Sequence, residues 1–186
     1  MSWVVLALVF SALIGRLRGG RIQNLLDVEA KAWWLLIVGL GLQLGAGMLP
    51  TDQHGLAVAL VLASAIPILM MIAMNRTAPG MWIAGIGILM NFLVITVNWG
   101  MPVLPAAIEI AGGSAVAALE GRHVLLDGST HLPFLGDIIP LPGSVISLGD
   151  VFLAIGLAVF VEEQMRRPPR LFRHGVPGEA GSAVER

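Results

Sequence analysis

No cysteine occurs in the 186 residues, which excludes disulfides, thiolate metal sites and cysteine nucleophiles together. Charge is scarce as well: 12% of the chain is Asp, Glu, Lys or Arg, against 56% hydrophobic residues. That is about half the charged share of an ordinary soluble domain. With a mean hydropathy of +0.86, the chain reads as a membrane protein. The net charge of −1 comes without a basic cluster, so nothing points to nucleic acid as a partner. Also missing are the G-x-S-x-G, H-E-x-x-H and glycine-rich phosphate-loop patterns, and with them any sign of a cofactor. His54, His123, His131 and His174 lack metal-ligand spacing, so no metal site is expected. The opening MSWVVLALVFSALIG has neither the basic start nor the small-x-small cleavage site of a secretory signal, and reads as a retained helix.

What is present is apolar length. Five runs, 2–15, 32–49, 56–74, 81–97 and 145–161, are candidate spans, several of them shorter than the ~20 residues of a perpendicular crossing. Arg16, Arg18, Arg21 and Lys31 follow the first run, Arg76 follows the third, and Arg166, Arg167, Arg170, Arg173 and Arg186 follow the fifth. These positions put the N-terminus outside and the C-terminus in the cytoplasm of a bacterial plasma membrane, with Arg122 as the exception. Trp3 and Trp99 fall at the expected outer ends, and Trp33, Trp34 and Trp82 at the inner ends, where indole favours the headgroup level. Residues 98–144 then form one external segment, with 103–119 as an interfacial or re-entrant helix. The expected fold is all-α: a polytopic transmembrane domain over 1–165 with about five transmembrane helices, then a disordered cytoplasmic tail over 166–186. Gly41 and Gly45 in the second run, and Gly80, Gly85 and Gly87 around the fourth, predict close helix approach.

Two carboxylates stand out against this apolar background. If Glu162 marks the inner boundary, Asp150 lies roughly 18 Å away, short of the ~30 Å hydrocarbon thickness. A carboxylate below the surface costs on the order of 2.5–3.5 kcal/mol and needs a partner, a proton or a wet cavity. Ser147, three residues earlier, supplies the S-x-x-D capping pattern. Asp137 follows Gly136 and is read either as an Asx turn or as a chemical group; Pro140, Pro142 and Gly143 allow a turn that folds it over the start of the last helix. Asn98 closes the fourth run at the same expected level, Asn91 lies two turns deeper, and Gln43 sits in the outer half of the second run. Asn98, Asn91, Gln43 and Ser147 are therefore the candidate ligand-binding residues, and Asp137 and Asp150 the candidate catalytic pair.

The set GRLRGGR after the first run, NWGMPV after the fourth and LGDIIPLPGSVISLGD before the fifth resembles a family of uncharacterised bacterial multipass membrane proteins, a domain of unknown function. Within it, GDIIP and SLGDVFLAIG are similar to the two aspartate elements of the lipoprotein signal peptidase, signal peptidase II. That resemblance implies an aspartic dyad at Asp137 and Asp150, with Ser147 where that family has Asn. Three functions follow as expectations. The first is a membrane protein with an outer-leaflet polar pocket for a lipid or a hydrophobic, lipid-anchored peptide. The second is an intramembrane aspartic hydrolase with one ionised and one protonated Asp. The third is a small transporter subunit.

Overall fold

The computed structural model describes residues 2–25, 30–112 and 122–166, with side chains from residue 9 onward. The helices are α1 (Ser2–Leu17), α2 (Trp34–Gly47), α3 (His54–Met74), α4 (Met81–Asn98), α5 (Pro105–Ile110) and α6 (Leu148–Arg166). Four strands accompany them: β1 (Met101–Val103), β2 (His123–Leu125), β3 (Asp137–Leu141) and β4 (Ser144–Ser147).

The strands correct the all-α expectation. They form one mixed sheet in the order β2-β1-β3-β4, with β1 parallel to both β2 and β3, and β3 antiparallel to β4. Each strand is three to five residues long, and Pro102 and Pro140 interrupt two of them, so no alternating pattern is long enough to read locally. The parallel pairs join segments far apart in sequence, which a local pattern cannot reveal.

About five spans is also corrected. Among the described residues, two helices, α3 and α4, are long and apolar enough to cross a membrane. At 14 residues α2 falls short, and the run at 145–161 is divided: its first residues belong to β4. Helix α6 begins only at Leu148 and carries Asp150, Glu162, Glu163 and Arg166. Of the expected interfacial helix, Val103 is strand and Pro105–Ile110 is helix, while 113–121 lie outside the described residues. The Trp3 side chain and the tail from 167 onward lie outside them too.

Helix α6 packs against α1 and α4, while α3 contacts α2 and α4. Glycine sets the closest of these approaches. A Cβ on Gly80 or Gly156 would overlap the other's helix backbone, and one on Gly87 or Gly149 would do the same, so two Gly pairs seven residues apart seat α4 on α6. Gly80 also has φ +82, a left-handed conformation that starts α4 where a side chain would be strained. In α2 the close approach falls at Gly39, against Ile68 and the Ser64 carbonyl; Gly41 and Gly45 face open space.

Two apolar cores result. Leu35, Ile68, Met71, Ile72, Met81 and Ala84 form one, between the end of α3 and the start of α4. Ala46, Ala57, Val58, Val61, Val94, Ile95, Met101 and Leu135 form the other, at the opposite end of those helices. The sheet sits on this second end because β1 follows α4 after the left-handed Trp99, and β4 runs directly into α6.

Candidate functional site

The start of α6 is held by a reciprocal cap. The Asp150 N–H donates to Ser147 Oγ at 3.0 Å, and the Ser147 N–H donates to Asp150 Oδ2 at 3.2 Å. This is the predicted capping box, which satisfies two N–H groups that the first helical turn leaves without partners. Asn91 on α4 extends it, donating from Nδ2 to Asp150 Oδ1 at 2.9 Å and accepting from Ser147 Oγ at 2.8 Å. A side chain at Gly149 would overlap the Asn91 amide, so the glycine is what lets the two helices meet at this level.

Asp137 starts β3 and pairs in register with Ser147 across the β3–β4 hairpin, whose tip is Pro142 and Gly143, the latter at φ +75. The hairpin thus folds Asp137 back over the beginning of α6. The residue is buried, at 7% exposure, and it forms no Asx turn: its Oδ1 has no hydrogen-bond partner among the described residues. Its Oδ2 lies 3.7 Å from His123 Nε2. Burial, reinforced by the charge of Asp150 and opposed by that of Arg122, pushes the Asp137 carboxyl up to about 8. At neutral pH it therefore mostly holds its proton.

These groups surround a cavity of about 270 Å³ below the sheet. Gln43 from α2, Asn91 from α4, Asp150 from α6 and Asp137 from β3 line it, with Val61, Leu62, Ile88, Phe92, Ile95 and Leu153 as apolar walls. Ser147 is buried and reaches the cavity through its bonds to Asn91 and Asp150. Asn98 lies elsewhere. Its amide donates to the carbonyls of Val94 at 2.9 Å and His131 at 2.8 Å, and its Oδ1 accepts from the His131 N–H at 2.8 Å, pinning the loop before β3 to the end of α4.

Sequence reasoning missed Arg122 and His123, which also line the cavity. A signal existed: Arg122 was the basic residue that broke the charge asymmetry. Both residues also line a second cavity of about 310 Å³, beside the turn from Ala46 to Thr51. Among the described residues no group of three or more His, Asp or Glu side chains is arranged to hold a metal.

Residues 27–162 match the model of a family of unknown function (DUF5317). A Thermotoga maritima protein described as uncharacterized is 29% identical over 155 residues, covering 80% of this chain and 84% of that one. No solved structure matches.

Proposed function

The chain belongs to this family of unknown function, and we propose that it is an integral membrane protein whose cavity beneath the sheet binds the polar head of a lipid. The carrying observation is Asp137: a buried carboxyl with an unpartnered oxygen, in an apolar-walled cavity at the end of two membrane-length helices. A buried polar atom without a partner costs about 1–3 kcal/mol, which a bound polar group recovers.

Embedding in a membrane is supported by the outer surface of the helices. Ile66 on α3 is 65% exposed and Trp82 on α4 64% exposed, and Met70, Leu89 and Leu93 are exposed with them. In water such a surface would drive aggregation, whereas in hydrocarbon it carries no penalty. In this reading α3 and α4 cross the bilayer of a bacterial plasma membrane in opposite directions. The sheet lies outside, and the end carrying Arg18, Arg21, Lys31, Arg76 and Arg166 lies in the cytoplasm.

A hydrolytic dyad has less support. Both oxygens of Asp150 are engaged by Asn91 and the Ser147 N–H, a partnership that holds a helix end rather than a reacting water.

Because the chain has no cysteine, a single introduced one reports unambiguously. In intact cells a membrane-impermeant maleimide should label Thr130→Cys and leave Thr77→Cys unmodified; the reverse pattern would refute the orientation. For the cavity, Leu153→Trp and the milder Val61→Phe should lower the lipid that co-purifies with delipidated and reloaded protein, measured by native mass spectrometry. Undiminished lipid in both variants would refute the site.

A further inference from the structure

Resting on that reading and deepening it, we infer that the head group is a zwitterion, its primary ammonium donating to Asp137 Oδ1 and its phosphate meeting Arg122. The cavity wall itself holds both basic and acidic side chains. Arg122 and Asp137 line the same space, yet the two make no ion pair with each other, and Arg122 makes none with any described residue. Asp137 presents a buried oxygen with no partner, on a side chain 9% exposed. A guanidinium and a carboxyl that share a cavity without touching leave room for a molecule that reaches both.

Simpler ligands fit less well. A lone anion at Arg122 leaves Asp137 Oδ1 unsatisfied, and a lone cation at Asp137 adds positive charge beside a guanidinium that forms no ion pair with any described residue. Asp150 contributes its field, and each of its oxygens already accepts a bond, from Asn91 and from the Ser147 N–H, whereas Asp137 Oδ1 accepts none. Among the described residues, the charged and titratable groups facing Asp137 are Asp150 on α6, Arg122 just before β2 and His123 at its start. When empty, the Asp137 carboxyl holds a proton up to about pH 8; the arriving ammonium replaces it, and the proton leaves to solvent. A primary ammonium has N–H donors to place on Oδ1, whereas a quaternary ammonium has none.

The full-length protein, delipidated in detergent, is titrated with phosphatidylethanolamine, phosphatidylcholine and phosphatidylglycerol of matched acyl chains and read by native mass spectrometry. Phosphatidylethanolamine should bind at least about tenfold more tightly than either of the others, the size of a charge-assisted hydrogen bond. Asp137→Asn, which keeps shape and removes charge, should bring phosphatidylethanolamine and phosphatidylcholine level. Arg122→Gln should weaken both by about the same factor, since they share the phosphate. Binding by wild type should release protons at pH 7, seen as a dependence of the binding heat on the buffer's ionisation enthalpy. Free phosphoethanolamine competing at concentrations equal to the lipid would assign the site to a soluble zwitterion; failure to compete would assign it to the lipid. Equal binding of phosphatidylethanolamine and phosphatidylcholine by wild type, or an unchanged preference in Asp137→Asn, would overturn the inference. If Leu153→Trp still blocks lipid in that case, the cavity reading stands and only the head group is wrong.

Discussion

The contact between α4 and α6 is made twice, by opposite means. Toward the start of α4, Gly80 meets Gly156, and the neighbouring core of Met71, Ile72, Met81 and Ala84 has no polar side chain in it. One heptad on, Gly87 meets Gly149, and beside them Asn91, Ser147 and Asp150 are joined by hydrogen bonds next to the Asp137 cavity. The backbones approach closely in both places because glycine removes the Cβ, and what fills the surroundings differs. Apolar surroundings at the first make it indifferent to pH and salt. At the second, each polar group depends on its neighbours, and the same closeness brings a hydrogen-bonded cluster to the edge of a cavity.

The largest effect should come from breaking the dry contact. Gly80→Ala combines a left-handed φ of +82 with overlap of the Gly156 carbonyl, backbone against backbone, and should cost roughly 3 kcal/mol or more of stability. Thermal unfolding in detergent would measure this, and an unchanged midpoint would remove the glycine contact as the organiser of the bundle. At the polar contact, Asn91→Ala removes the donor to Asp150 Oδ1 and the acceptor for the Ser147 hydroxyl, which keeps only the bond it accepts from the Asp150 N–H, and should cost about 2–3 kcal/mol. Asp150→Asn at the same place retains an acceptor for the Ser147 N–H and should cost less, about 0.5–2 kcal/mol.

The pH dependence sharpens the contrast further. The folded Asp137 carboxyl is raised from 3.8 to about 8, so the folded protein binds the proton more tightly than the unfolded chain. Its contribution is fully present below the unfolded value and lost as pH rises through the folded one. Stability should therefore fall between about pH 4 and pH 8 with a slope on the order of 1 kcal/mol per pH unit, then level off. Asp137→Asn should flatten that slope and raise the unfolding midpoint at pH 8; an identical pH profile in the variant would mean the carboxyl is not shielded from water. Smallest of all is the Arg18–Glu162 pair, 2.6 Å apart with Arg18 62% exposed. Arg18→Gln should change stability by at most about 1 kcal/mol, and less in high salt.

Much of the helical part could be read from the sequence because its cause is local. Long apolar runs mark α3 and α4, and the S-x-x-D spacing alone indicates the cap of α6, where both reciprocal bonds form. Composition likewise determined what chemistry is absent, since a chain without cysteine has no thiolate. The sheet was illegible for a physical reason: strands this short have no period to detect, and the partners of β1 come from far along the chain, β2 pairing Met101 with His123, 22 residues later, and β3 pairing Val103 with Asp137, 34 residues later. The same reason hid half of the site. Asp137, Asp150, Asn91 and Gln43 were each visible as polar residues out of place. That the first three share a cavity with Gln43, that Asn98 does not, and that Arg122 and His123 do was decided by β2 pairing beside β1, a contact that exists only once the chain has folded.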